Sequence, residues 1–233
     1  MMCTGSLVTR DVVLTAAHCF DDLVGKVVVA FTTDPECDKV KHTLQVVVPA
    51  AGQRPQAYRP GGFSLSDVAL LRLPQDAPAW TNVMPLNFSP TAVDATSSVY
   101  AAGFGKAAGH DQEETLNPML RYTTLPIAQQ LDNEAIVYLK GKLGNDTVFD
   151  FGPSPLWFTD DSHGHAICSG DSGGPLVMND HGFISQVGVA SFTFATGGHD
   201  SCAGFGAYLK IGTQRDWLRA TFNSLNSAYP NPF

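Results

Sequence analysis

Short apolar runs rich in β-branched residues, each closed by turn-forming residues, dominate the hydrophobic pattern of this chain. They fall at Asp11–Thr15, Lys26–Thr33, Thr43–Val48, Val68–Leu73, Ser98–Ala102, Pro175–Met178, Ile184–Phe192 and Gly206–Ile211. Apolar and polar residues alternate through Phe183–Val189, the period of a strand with one face buried. With 22 glycines and 15 prolines punctuating the runs, the pattern predicts an all-β sandwich or barrel. Helical spacing is strongest at the end, where Trp217, Leu218, Phe222 and Leu225 share a face over Thr213–Leu225, with Thr213 as N-cap. A second helix is predicted within Pro126–Lys140, and Met84–Pro90 reads as an interdomain linker. The tail from Tyr229 to Phe233 is expected to fray.

Composition narrows the class. The 233 residues are 44% hydrophobic and 15% charged, and they carry a formal net charge of -8. That balance gives one or two domains with a sizeable core and argues against a protein that neutralises nucleic-acid phosphates. No apolar stretch approaches the roughly 18–20 residues of a membrane-spanning helix, so no membrane association is expected. The five cysteines, at 3, 19, 37, 168 and 202, contain no Cys-x-x-Cys pair, which makes zinc binding a poor reading. Two disulfides with one thiol left over fit an oxidising, exported setting. Yet no charged and apolar leader opens the chain, which starts Met1-Met2-Cys3.

The chemistry concentrates in Cys168-Ser169-Gly170-Asp171-Ser172-Gly173-Gly174-Pro175. A serine hydroxyl needs a base to take its proton and donors for the charge that develops on the attacked carbonyl oxygen. Glycines on either side of Ser172 let the backbone turn tightly enough for its N–H groups to converge there. A base must in turn be oriented by a carboxylate. His18 ends the apolar segment Leu14-Thr15-Ala16-Ala17-His18-Cys19, and Asp67 sits at the mouth of the apolar run Val68–Leu73. A carboxylate at such a position is costly without a partner, and His18 would provide one. Histidines 42, 110, 163, 165, 181 and 199 stand in polar contexts and read as solvated. Asp160-Asp161 reads as a loop rather than a calcium site. No metal and no cofactor is expected.

Thr15–Cys19, Asp67–Leu71 and Gly170–Pro175, in that order, resemble the T-A-A-H-C, D-V-A-L-L and G-D-S-G-G-P motifs of the chymotrypsin/trypsin-like serine proteases. The likeness extends to Gly103-Phe104-Gly105, which resembles a G-W-G segment, and to Ser191-Phe192-Thr193, which resembles an S-W-G strand. It implies two antiparallel β-barrels and a C-terminal α-helix. The first barrel would span residues 1–90 and carry His18 and Asp67. The second, residues 91–233, would carry the nucleophile and the specificity pocket. The family's first strands are absent from this chain, so a truncated amino-terminal region is expected.

By the same resemblance, Ser172 is the nucleophile, His18 the proton shuttle and Asp67 its orienting group, with Ser191 supporting Asp67. The N–H groups of Gly170 and Ser172 form the oxyanion hole. Disulfides Cys3–Cys19 and Cys168–Cys202 are implied, with Cys37 left over. Ala166 marks the pocket floor, and Ser191, Phe192, Thr193 and Gly206 its walls. The uncharged floor implies cleavage after a small-to-medium apolar residue rather than after lysine or arginine. Asp171 is implied as the latch that takes a freed amino-terminal ammonium in the family; no Ile/Val-Val/Ile-Gly-Gly segment occurs here to supply it. The expected activity is that of a secreted, monomeric endopeptidase acting on protein or peptide substrates and open to proteinaceous inhibitors. The alternative is a non-catalytic homologue that uses the same fold for binding.

Overall fold

Antiparallel pairing brings the apolar runs together. The computed structural model describes residues 2–21, 26–33, 43–47, 53–61, 63–89, 93–94, 97, 99–106, 119–160, 167–196 and 201–225. Strands β1 (Ser6–Leu7), β2 (Val12–Thr15) and β5 (Ala69–Arg72) form a three-stranded sheet in the order β1-β2-β5. Strands β3 (Lys26–Ala30) and β4 (Thr43–Val47) pair as a separate two-stranded sheet. The second half holds β6 (Val99–Gly103), β7 (Arg121–Leu125), β8 (Leu156–Asp160), β9 (Pro175–Asp180), β10 (Phe183–Phe194) and β11 (Phe205–Lys210). These make a six-stranded sheet in the order β7-β6-β9-β10-β11-β8.

The two outer strands of that sheet meet. Ile127, just beyond β7, bridges Thr159 on β8, and Ala128 N–H donates to Phe158 O at 2.8 Å. The sheet thereby closes on itself, which removes its open edges. Val99, Ala101, Trp157, Leu176, Val187 and Tyr208 fill its interior. The all-β class, with its closing helix, is borne out.

Helix α1 (Asn133–Leu143) starts later than the sequence pattern predicts. Its first turn is set by Asp132, whose carboxylate accepts from Ala135 N–H at 2.7 Å. Residues 126–128 are drawn off instead into pairing with β8. Helix α2 (Arg215–Ser224) buries Leu218, Thr221 and Phe222. Thr213 is not its N-cap. A tight 3-10 turn over Ile211–Gln214 runs straight out of β11, and the Thr213 hydroxyl donates to Lys210 O at 2.7 Å. Leu218 and Phe222 join one core with Val8, Leu86, Phe88 and Ile211, so α2 fastens the first half of the chain to the second. Met84–Pro90 is likewise anchored where it is described. Asn87 N–H donates to Gln186 O at 2.9 Å, and Gln186 N–H to Pro85 O at 2.8 Å.

Three strands escaped the sequence pattern. Strand β1 is too short to show a period, β7 exposes most of its Thr-rich sequence, and β8 is buried along most of its length without alternation. Among the described residues, no helix is long and apolar enough to cross a membrane.

Candidate active site

His18 and Asp67 are brought together by strand register. Thr15 at the end of β2 pairs with Ala69 at the start of β5. The residues just beyond each therefore emerge at one corner. There the chain turns through a 3-10 segment, Ala17–Phe20, which carries His18. Asp67 is fully buried and accepts two bonds from this turn: His18 N–H at 2.9 Å to Oδ1, and His18 Nδ1 at 2.7 Å to Oδ2. The Ser191 hydroxyl, reaching across from β10, donates to Oδ2 at 2.5 Å. Three donors thus meet the charge brought out of water, as burial demands. A carboxylate facing Nδ1 holds the ring proton there and leaves Nε2 as the basic nitrogen. Burial alone would lower the His18 pKa; the hydrogen bond and charge of Asp67, with a smaller contribution from Asp21, outweigh it and raise the pKa above its ordinary value.

The serine-bearing loop packs against the same corner. Gly170 has φ +103 and Gly173 φ +81, conformations that favour glycine. A Cβ on Gly173 would stand 2.1 Å from Thr15 Oγ1, so only glycine lets the loop approach the end of β2 this closely. Gly173 N–H donates to Ala190 O at 2.7 Å, and Ala190 N–H to Gly174 O at 2.8 Å. Thr4 N–H donates to Ser172 O at 2.8 Å. Among the described residues, neither Gly170 N–H nor Ser172 N–H donates a hydrogen bond, which leaves both free for an incoming oxygen. No hydrogen bond joins the Ser172 hydroxyl to the His18 ring among these residues, and such bonds are often loose before substrate binds. Disulfides join Cys3 to Cys19 (S–S 2.04 Å) and Cys168 to Cys202 (S–S 1.93 Å). The ligating atoms of Cys3, His18 and Cys19 lie within 4.8 Å of one another, but both sulfurs are committed to the disulfide and neither is a thiolate.

Asp171 is turned inward. Its Oδ1 accepts from Gly105 N–H at 2.8 Å and its Oδ2 from Cys168 N–H at 2.9 Å. Burial pushes its pKa up, against these two bonds and the charge of Arg121. An uncompensated carboxylate at this position would prefer solvent over burial. Two backbone donors hold it inside instead, in a cradle open only because Gly103 and Gly105 carry no Cβ. A Cβ on Gly103 would stand 2.1 Å from Asp171 Oδ1. Gly103→Ala is therefore expected to destabilise the fold by about 1–3 kcal/mol in chemical denaturation, the usual cost of overpacking. Unchanged stability would contradict this account of the cradle.

Beside Ser172 lies a cavity of about 210 Å³ lined by Ile167, Cys168, Ser169, Ala190, Ser191, Phe192, Thr193 and Cys202, with Lys106 as the one charged residue among the described residues. Of the sequence-predicted wall residues, Ser191, Phe192 and Thr193 line it and Gly206 does not. Gly206 is buried in the ladder, paired with Thr193 on one side and Thr159 on the other. Ala166 lies outside the described residues, as do Cys37 and His42, His110, His163, His165 and His199. His181 is exposed in the turn between β9 and β10.

Several contributors had no local signal. Asp21 accepts from Tyr58 OH at 2.6 Å and from Gly61 N–H at 3.3 Å, tying the loop ahead of Asp67 to the turn that carries His18. Burial, then the Asp21 carboxylate, raises the Tyr58 pKa. Phe63 packs on Phe192 with ring centroids 4.5 Å apart, and Lys142 lies 5.7 Å from the centroids of both Phe63 and Tyr138. Thr4, whose hydroxyl donates to Gly170 O at 2.9 Å, belongs with them.

A His–Asp–Ser set at the junction of a closed β-barrel and a second β-unit defines the class of trypsin-like serine protease folds. The family model for trypsin matches residues 1–218. Mouse granzyme B(G,H) is 27% identical over 230 residues, covering 96% of this chain and 81% of its own length. Serine protease SP24D of Anopheles gambiae is 30% identical over 226 residues, covering 95% of this chain and 72% of its own length. Among solved structures, a mutant of human heparin binding protein (CAP37) shares the fold with a TM-score of 0.67 at 22% identity, over 99% of this chain and 89% of that one. The chain belongs to the trypsin-like serine protease family.

Proposed function

We propose that this chain is a serine endopeptidase that cleaves protein or peptide substrates through an acyl-enzyme. The observation that carries this reading is the fully buried Asp67, held by three donors and directed at His18 Nδ1. A binding module has no need to bury a carboxylate in order to orient an imidazole. In the proposed cycle, His18 Nε2 takes the Ser172 proton as Oγ attacks the substrate carbonyl carbon. Asp67 stabilises the imidazolium that forms. The N–H groups of Gly170 and Ser172 receive the oxyanion, which is where a donor lowers the barrier most. The imidazolium then protonates the leaving amine, and water repeats the sequence on the acyl-enzyme.

Residues 1–90 and 91–233 are proposed as the two barrels, with the site between them. Two disulfides and the family suit a secreted, monomeric protein that meets proteinaceous inhibitors. The open Ser172–His18 pair favours the alternative, a non-catalytic homologue used for binding. A fluorophosphonate probe separates the two: stoichiometric labelling at Ser172 supports the peptidase, and absence of labelling supports the binding module.

The proposed specificity rests on the cavity lining, which holds no carboxylate among the described residues and includes Lys106. A lysine or arginine side chain entering it would be an unpaired cation beside another cation. Peptide-library profiling is expected to show cleavage after small-to-medium apolar residues at least ~10-fold faster than after lysine or arginine, the scale of one lost ionic contact. Dominant cleavage after arginine would overturn this specificity.

A further inference from the structure

Thr4 is buried (5% exposed), and each of its polar groups bonds to an element of the site. Its N–H donates to Ser172 O at 2.8 Å, and its hydroxyl donates to Gly170 O at 2.9 Å. The hydroxyl oxygen accepts from Phe104 N–H at 3.1 Å, while its carbonyl accepts from Thr15 Oγ1 at 2.8 Å. Its neighbour Cys3 is bonded to Cys19, beside His18. One residue thus connects the end of β2, the Gly103–Gly105 segment and both carbonyls that flank Asp171.

We propose that the Thr4 hydroxyl is a positioning group for the oxyanion site, pinning Gly170 to the Phe104 backbone so that the Gly170 and Ser172 N–H groups stay convergent. The physical reason is the planarity of the peptide unit. Fixing the Gly170 carbonyl fixes the plane that joins Gly170 to Asp171, and Thr4 N–H fixes the plane that follows Ser172, so each of the two oxyanion N–H groups is one backbone residue away from a fixed plane. Gly170, at φ +103 and without a side chain, is flanked by planes held through Lys106 N–H to Ser169 O at 2.9 Å and Asp171 N–H to Cys168 O at 3.0 Å, and among the described residues the Thr4 hydroxyl makes the bond to Gly170 itself. The other face of the loop is held by Gly105 and Cys168 through the Asp171 carboxylate. The hydroxyl completes a two-sided clamp. This role rests on the peptidase reading for its catalytic consequence but not for its structural one.

The test compares Thr4→Ser with Thr4→Ala, which both lack the methyl and differ only in the hydroxyl. In Thr4→Ala, kcat on a peptide substrate is expected to fall about tenfold or more relative to Thr4→Ser, with KM within about twofold, as for a group that acts on the oxyanion rather than on ground-state binding. Affinity for a peptidyl aldehyde, whose adduct places an oxyanion in the site, should fall by the same factor. Equal kcat and equal aldehyde affinity in the two variants would overturn the proposal. Amide hydrogen exchange over residues 168–173 is measured in parallel: faster exchange in Thr4→Ala supports the clamp, and equal exchange refutes it. If the parent chain shows neither turnover nor aldehyde binding, the peptidase reading fails and the clamp is judged on exchange. If Thr4→Ala does not fold, Thr4→Ser carries the test against the parent: parental kcat and exchange support the hydroxyl's role, and a tenfold loss of kcat assigns the effect to the methyl and overturns it.

Discussion

Replacing Ser172 by alanine is expected to abolish turnover, lowering kcat by roughly 10⁶-fold, the loss typical when the nucleophile of such a set is removed. The folded state should be little affected. Ser172 contributes its backbone carbonyl to Thr4 N–H, and alanine keeps that carbonyl. The loop conformation depends on Gly170 and Gly173, which the variant leaves intact. Steady-state hydrolysis of a peptide ester and of a peptide amide, alongside thermal denaturation, tests both halves of the expectation. Full peptidase activity in the purified variant would remove Ser172 from the mechanism.

Asp67→Asn has the second-largest expected effect, a loss on the order of 10⁴-fold in kcat near neutral pH. An amide at this position can place its NH₂ group against His18 Nδ1, which favours the tautomer with the proton on Nε2 and takes the base away from Ser172. The pH dependence distinguishes this loss from unfolding. A base works only when neutral, so activity in the parent falls as pH drops through the raised His18 pKa. Asp67 is the main cause of the rise and burial opposes it. Without the carboxylate, burial dominates, and the acidic limb of kcat/KM should move to lower pH. An acidic limb that stays in place would show that Asp67 does not set the His18 pKa. Linkage gives the matching statement for stability. A raised folded-state pKa contributes stability that is fully present below the unfolded value of 6.5 and is lost as pH rises through the folded value. Asp67→Asn should lose that contribution.

Much of the fold was legible because it rests on local regularities. The runs at Val12–Thr15, Ala69–Arg72 and Phe183–Phe194 are buried along most of their length, so apolar composition between turn residues marks them in the chain. Strands β7 and β8 lack a run of β-branched apolar residues, β7 reading Arg-Tyr-Thr-Thr-Leu and largely exposed, β8 reading Leu-Trp-Phe-Thr-Asp and largely buried. Thr213 looked like an N-cap, but the direct exit from β11 into a 3-10 turn left its hydroxyl to Lys210 O. Gly206, read from the sequence as a pocket wall, sits in the ladder between Thr159 and Thr193.

The sequence by itself determined the chemistry on offer: a serine among glycines, a histidine closing an apolar strand, a carboxylate opening another, and the order in which they occur. Those are properties of residue type and spacing, and local physics reads them directly. Only the tertiary structure decided how the groups are held. Asp67 meets His18 through the register of β2 with β5, and Ser191 reaches it from β10, 124 residues away. Asp171 stays turned inward and partly buried because Gly103 and Gly105 leave room for it and Gly105 N–H reaches it. Thr4 grips a loop 166 residues further along the chain. No local pattern encodes such contacts, because a hydrogen bond between distant segments depends on where each strand ends.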